Sequence, residues 1–442
     1  MSDTHSDSAP SVHDSSEDRL AGSASPDPGD AGLEWLAEGS VTAAAGFRAA
    51  GIHCGLKRSR PDLALIVADA SVPAAGMFTT NRVQAAPVRY CREVLAGGRA
   101  RALVVNSGNA NACTGAQGER DAAEMALILA TALGAEADEI LVCSTGVIGR
   151  NLPMDVLRTG IPAAVEALSA AAESADAAAR AIMTTDTVPK ACACRVELGG
   201  GSVVVGGIAK GSGMVGPDLE LAAQGGAAHA TTLAFLTTDA VLEPTPLAAM
   251  LQRAAEGSFN SITVDGDTST NDTLLLLASG ASGVAAESAE DRLLLQRAIS
   301  AVAQRLALAV VRDGEGATRV LRFDVSGAVD EGQARRVARS LANSPLIKTA
   351  FHAGEPNWGR LMMAVGKGDR GIDPDSIAIR VGGLEVVAGG MGTPHDAAEL
   401  SRRMTTDEVV IEVELGLGAA AATMWTCDLS AEYVRINATY LT

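Results

Sequence analysis

An alanine followed by two threonines, Ala230-Thr231-Thr232, opens an alternating stretch that reads as a strand. A threonine at that position, after the small residues Gly225-Gly-Ala-Ala-His-Ala230, can do more than favour β structure. Its hydroxyl can attack the preceding carbonyl and move the acyl group from nitrogen to oxygen. Hydrolysis of the resulting ester then frees an α-amino group. That amine has an ordinary pKa of about 7.7–8.0, so near neutral pH it can take the proton of its own hydroxyl and generate a nucleophile. By itself, Ala-Thr being a common dipeptide, the stretch reads as a buried strand whose threonines favour β structure.

Several other stretches place polar groups where a core would not. Gly206-Gly-Ile-Ala-Lys-Gly-Ser-Gly-Met214 leads a strand into a glycine-rich turn that carries one cation, Lys210. Such a turn lets backbone N–H groups approach an anion closely. Gly211, Gly213 and Gly216 also fit the dinucleotide spacing G-x-G-x-x-G, although Pro217-Asp-Leu-Glu-Leu221 offers at best a short helix behind it. Cys143-Ser-Thr-Gly-Val147 closes an apolar strand with small polar residues, a junction whose N–H groups can form an oxyanion hole or simply turn the chain. Met183-Thr-Thr-Asp-Thr-Val-Pro189 reads as a helix end or as a polar substrate contact. Glu315, between glycines in Arg312-Asp-Gly-Glu-Gly-Ala317, can reach a ligand amine or be a solvated loop acid. Asp265-Gly-Asp-Thr-Ser-Thr-Asn-Asp272 has Thr270 where a calcium loop requires glycine, so it reads as a turn that hydrogen-bonds its own backbone. His352 reads as a structural histidine.

These stretches must be held by an alternation of short apolar runs and Ala-rich helices. Strands are expected over 63–67, 102–106, 139–143, 202–206, 232–237, 274–277, 320–325 and 408–414. Helices are expected over 119–133, 154–168, 174–183, 246–256, 290–311 and 331–343, each with apolar residues at i, i+3, i+4 spacing. The interleaving predicts an α/β fold, a layered alpha-beta sandwich with mixed sheets. Residues 1–38 hold nine Asp/Glu against one Arg and few apolar residues, so this acidic extension is expected to be disordered.

The remaining composition narrows the function classes. Net charge is −18, which argues against a phosphate-binding groove and hence against nucleic acid as a partner. No apolar run is expected to span a membrane, and no basic-then-apolar leader opens the chain. The expected location is the cytoplasm. Seven cysteines include one C-x-C, Cys192 and Cys194, with no second ligand pair at zinc spacing. They read as buried free thiols, with no metal site expected.

Taken together, the motifs resemble the ornithine acetyltransferase family, the bifunctional glutamate N-acetyltransferases. The resemblance runs from Val41 to Thr442 through Gly46-Phe-Arg-Ala-Ala-Gly51, Phe78-Thr-Thr-Asn-Arg82, Asn106-Ser-Gly-Asn-Ala-Asn111 and Ser144-Thr-Gly-Val-Ile-Gly149. It continues through Thr184-Thr-Asp-Thr187, Lys210-Gly-Ser-Gly-Met214, Thr237-Thr-Asp-Ala240, Thr263 to Asp272, Asp313-Gly-Glu-Gly-Ala-Thr318, Pro356-Asn-Trp-Gly-Arg360 and Val434-Arg-Ile-Asn-Ala438.

The resemblance implies two domains with the site between them and self-cleavage between Ala230 and Thr231. Cleavage gives a region 39–230 and a region 231–442 that begins with the nucleophile. It implies Thr231 as nucleophile, Thr145 and Gly146 as oxyanion hole, and Thr184, Lys210, Thr231, Glu315, Asn437 and Thr442 as substrate contacts. It implies a ping-pong transfer of acetyl from N-acetylornithine to glutamate in arginine biosynthesis, with no cofactor. Some similar enzymes also take acetyl-CoA as a co-substrate. Paired α and β chains from one precursor, as a heterotetramer, are the expected assembly. A same-fold acyltransferase or amidohydrolase of secondary metabolism and an uncleaved amino-acid-binding relative are the alternatives. The segment between Lys210 and Thr231 exceeds the family's by roughly ten residues, over about 218–228, a length that costs little in closure entropy.

Overall fold

Strand β10 (Thr273–Ala278) reads Thr-Leu-Leu-Leu-Leu-Ala, and all six residues are buried. A run with no polar alternation belongs to a strand covered on both faces, and that is its place in the computed structural model of the chain. The structure describes residues 31–222 and 232–439. A ten-stranded sheet follows the order β1-β6-β7-β9-β10-β3-β4-β5, with β2 and β8 each paired to β3. The remaining strands of this sheet are β1 (Leu33–Trp35), β2 (Phe47–Ile52), β3 (Leu63–Thr79), β4 (Arg99–Asn109) and β5 (Ile140–Val147), followed by β6 (Lys190–Leu198), β7 (Gly201–Lys210), β8 (Leu219–Leu221) and β9 (Leu233–Thr238). The ladders β9–β10 and β4–β5 are parallel and the others antiparallel. Strand β3 serves two neighbourhoods: its first half pairs with β2 and β4, its second half with β10 and β8.

Helices cover this sheet as layers. Ala289–Arg312 packs on β6 and β7, and Pro244–Glu256 packs on β3, enclosing one apolar core. Ala172–Ala181 packs on β2 and β3 over the opposite core. Gly115–Leu133 and Met154–Glu166 close a third cluster beside β4 and β5. The helix Ala289–Arg312 is long and apolar enough by composition to cross a membrane, contrary to the expectation that no run would be. Leu295, Ile299, Val302, Leu306 and Val310 lie on its buried face and account for that apolar character. A six-stranded second sheet, β14-β13-β12-β15-β11-β16, spans β11 (Val320–Ala328), β12 (Ala378–Val381), β13 (Leu384–Ala388), β14 (Met391–Gly392), β15 (Glu408–Glu414) and β16 (Ala420–Cys427). The helix Glu331–Ala342 lies across β11 and β16. The architecture is the expected α/β sandwich with mixed sheets.

All eight expected strands and all six expected helices form, mostly longer than expected. Two expectations about elements are corrected as well. Leu33–Trp35, assigned to the disordered extension, forms β1 against β6. Pro217–Leu221, read as at best a short helix, instead contributes β8. The cysteines are free and five are buried, but Cys54 is half-buried and Cys113 exposed. Residues 1–30, 223–231 and 440–442 fall outside the described residues, and with them Ala230, Thr231, Thr442 and most of the longer segment.

Candidate active site

The polar ends of β5 and β7, separated by four strands in the sheet order, approach each other where Lys210 Nζ lies 3.4 Å from Thr145 Oγ1, and a cavity of about 490 Å³ opens there. Thr145 and Gly146 come from β5, Lys210 from the last position of β7, and Thr184 from the turn after the helix Ala172–Ala181. Glu315 comes from the connection between the two sheets, and Asn437 from the C-terminal helix Ala431–Thr439. Six residues assigned by resemblance therefore meet around one cavity. Thr231, Ala230 and Thr442 lie outside the described residues, and the described chain resumes at Thr232. The first residue of β9, Leu233, is the register partner of Lys210.

Glycines allow these groups to converge. Gly146, at φ 130°, sits opposite Gly108, itself at φ 101°, and a Cβ on Gly146 would lie 2.4 Å from the Gly108 carbonyl carbon. No side chain fits between these two strands. A Cβ on Gly213 would lie 2.4 Å from Glu315 Cδ, so the bare backbone of the glycine-rich turn makes room for that carboxylate. The same turn accepts the Glu315 N–H at the Ser212 carbonyl, 2.9 Å away. Asn437 Nδ2 donates to Glu315 Oε2 at 2.6 Å. The turn runs on into β8, with no helix behind its last glycine. The dinucleotide reading of Gly211, Gly213 and Gly216 loses its structural context, because pyrophosphate binding there needs a helix N-terminus.

Charge at the cavity is organised by an ion network that reading the sequence did not find. Lys190 is buried and bridges Asp186 at 2.7 Å and Asp313 at 2.6 Å. Asp186 also accepts the Gly211 N–H at 2.7 Å and the Thr184 N–H at 2.9 Å. Asp313 receives the Thr187 N–H at 3.0 Å. The triad thereby ties three cavity segments together: the Thr184 turn, the glycine-rich turn and the Glu315 connection. Burial opposes the charge on Asp186, but Lys190 and Lys210 outweigh it and hold the carboxyl below its ordinary range. Lys210 is 2 % exposed, and burial lowers its ammonium pKa against the opposing pull of Asp186. Its Nζ lies 3.4 Å from Thr145 Oγ1.

The loop at the cavity's rim adds three cations missed in the sequence, Lys57, Arg58 and Arg60. Lys57 Nζ donates to the Pro61 and Met183 carbonyls at 3.0 and 2.6 Å, and burial lowers its pKa to about 8. Arg60 donates to the Thr184 carbonyl at 2.7 Å. The Asp265–Asp272 loop does bond its own backbone, as expected, with Asp265 receiving the Asp267 N–H at 3.1 Å. It also receives the Val215 N–H at 2.9 Å, which links this loop to the glycine-rich turn. His352 is structural too, with Nδ1 2.6 Å from buried Asp428. Their pairing lies in tertiary contacts, so no local signal marked Asp186, Lys190, Asp313 or Lys57. The one hint was acids recurring inside glycine- and threonine-rich motifs.

The sequence profile of the ArgJ family matches residues 48–442. An arginine biosynthesis bifunctional protein ArgJ of Gloeobacter violaceus is 47% identical over 418 residues, covering 93% of this chain and 100% of that protein. Its counterpart from Thermosynechococcus vestitus is 46% identical over 423 residues, 91% of this chain and 98% of that one. A crystal structure of ornithine acetyltransferase complexed with ornithine, from Mycobacterium tuberculosis, is 46% identical over 42% of this chain and 100% of its own, with a TM-score of 0.41. With a profile match over most of its length and relatives near half identity end to end, this chain belongs to the ArgJ family.

Proposed function

We propose that this protein is an acetyltransferase of arginine biosynthesis that moves acetyl from N-acetylornithine to glutamate through an acetylated Thr231. The observation that carries this reading is the convergence of Thr145, Gly146, Thr184, Lys210, Glu315 and Asn437 on one cavity beside the start of β9. Self-cleavage begins when the Thr231 hydroxyl attacks the Ala230 carbonyl. The acyl group moves to oxygen, water hydrolyses the ester, and the Thr231 α-amine is freed. In the first half-reaction that amine takes the hydroxyl proton as Oγ attacks the acetyl carbonyl of N-acetylornithine. The C–N bond breaks, the amine leaves with a proton as ornithine, and acetyl stays on Thr231. Glutamate's neutral amine then attacks the ester and restores the threonine.

Each developing oxyanion needs donors in place beforehand, the task given to Thr145 and Gly146. A zwitterionic substrate needs a cation for its carboxylate and an anion for its ammonium. Buried Lys210 and buried Glu315 supply those signs across one cavity. The scheme uses no cofactor. The fragments 1–230 and 231–442 are expected to stay together as α and β chains and to pair as heterotetramers.

The test is steady-state kinetics with N-acetylornithine and glutamate on the parent and on Thr231→Ala. Parallel-line ping-pong behaviour in the parent and none in the variant is expected. Acetyl transfer by Thr231→Ala would overturn the reading.

A further inference from the structure

The two residues before β10 each grip a different strand at the cavity. Asn271, 2 % exposed, sends both hydrogens of its side-chain amide to backbone carbonyls: Ala110 at 2.6 Å and Ser144 at 2.8 Å. The Ser144 carbonyl shares its rigid peptide plane with the Thr145 N–H, so this bond sets where that N–H points. The amide orientation is fixed in turn, because Asn271 Oδ1 accepts from Thr270 Oγ1 at 2.6 Å. Asp272 is fully buried, and its Oδ1 accepts the Thr232 N–H, the donor of the peptide that joins 232 to residue 231. Thr232 then accepts the Thr273 N–H at 3.0 Å, and the Thr79 N–H reaches the Asp272 carbonyl at 2.9 Å.

Stability alone gives a poor reason for this acid. Among the described residues, its second oxygen, Oδ2, and the neighbouring Thr232 Oγ1 are both buried with no hydrogen-bond partner. A buried carboxyl with an unsatisfied oxygen is costly, and an apolar side chain of similar size would avoid that cost.

We propose that Asn271 and Asp272 are a positioning pair, adjacent residues that fix the Thr145 peptide and the Thr232 peptide at one spacing so that nucleophile and oxyanion donors meet. This rests on the proposed role of Thr231. Neither side chain is assigned to touch substrate; each acts through the peptide it holds. Both self-cleavage and acetyl transfer depend on that spacing, whereas the Lys210 and Glu315 contacts to substrate do not.

Asn271→Ser and Asp272→Ala test the pair independently, so that one decides if the other fails to fold. Each is read by maturation rate, by kcat and KM for N-acetylornithine, and by ornithine binding in calorimetry. The expected result is ornithine affinity within about threefold of the parent, with maturation or kcat reduced by about a hundredfold, the scale of an ångström-sized misplacement. Asp272→Asn, which keeps an acceptor for the Thr232 N–H, is expected to recover at least about tenfold of what Asp272→Ala loses. Maturation and kcat both within about threefold of the parent in a folded variant would overturn the proposal. So would equal loss of binding and turnover. Thr231→Ala separates the two levels: if it transfers acetyl, the underlying reading fails whatever these variants do.

Discussion

Two buried acids at the cavity are pushed in opposite directions, and their neighbours explain it. Asp186 faces Lys190 and Lys210, whose charges overcome its burial and hold it below the ordinary range. Asp272 is as deeply buried, and there desolvation dominates the Thr232 N–H and the more modest pull of Lys210, so its carboxyl is pushed well above that range. Linkage gives the two residues opposite signs. The stabilisation from Asp186 is complete above its unfolded pKa of 3.8 and is lost as pH falls below it. Asp272 costs stability progressively as pH rises above 3.8, because the unfolded chain releases that proton first. Urea unfolding across pH is therefore expected to show Asp272→Asn gaining on the parent as pH rises from that value, and a constant difference would contradict this. For Glu315, removing the charge but not the shape is expected to weaken substrate capture. Glu315→Gln should lower kcat/KM for N-acetylornithine by about 10–100-fold, the worth of one hydrogen bond to a charged group, as read by initial rates.

At the scale of elements, the site exists because apolar strands stop at polar tips and one ion triad ties together the turns around them. Lys190→Met would leave Asp186 and Asp313 buried without their shared cation. That is expected to cost about 3–5 kcal/mol in chemical denaturation, far more than a surface pair is worth. What was legible in the sequence follows from burial. β10 is covered on both faces and reads as a continuous apolar run, β9 reads as an alternating one, and the Ala-rich helices carry a plain 3.6-residue period. Phe47–Ile52, Lys190–Leu198 and Ala420–Cys427 were not legible, because Arg, Cys and Ala break their alternation and only pairing with neighbours makes them strands. Thr145, Gly146, Lys210 and Glu315 stood in glycine-rich or small polar turns that drew notice, and the family resemblance supplied their roles. Asp186, Lys190 and Asp313 were not, because their meaning is a contact across 123 residues of chain. Asn271 and Asp272 were visible only as a self-bonded turn, since their partners lie on other strands.

For the whole molecule, the proposed cut would not separate two domains. Strand β9 pairs along its whole length with the second half of β7, and β10 pairs with the second half of β3, although residue 231 lies between the members of each pair in sequence. Two fragments would share one sheet and its cores, so parting them would expose several apolar strands at once. Size-exclusion chromatography without denaturant is expected to show both fragments eluting together. A free fragment 1–230 would contradict that. The longer segment before residue 231 is anchored on its near side: Ala222 donates to the Gly76 carbonyl at 3.1 Å, and Glu220 pairs with Arg92 at 3.1 Å. On the far side, Asp272 holds Thr232. The extra length is thereby bracketed between two fixed points.

The account depends on an amine at residue 231, and mass spectrometry of the purified protein under denaturing conditions reads it directly. The predicted result is two species in equal amount, residues 1–230 and 231–442, the second beginning with threonine. A single uncut chain of 442 residues that still converts N-acetylornithine would contradict the account, because the amine proposed to take the hydroxyl proton would remain locked in an amide.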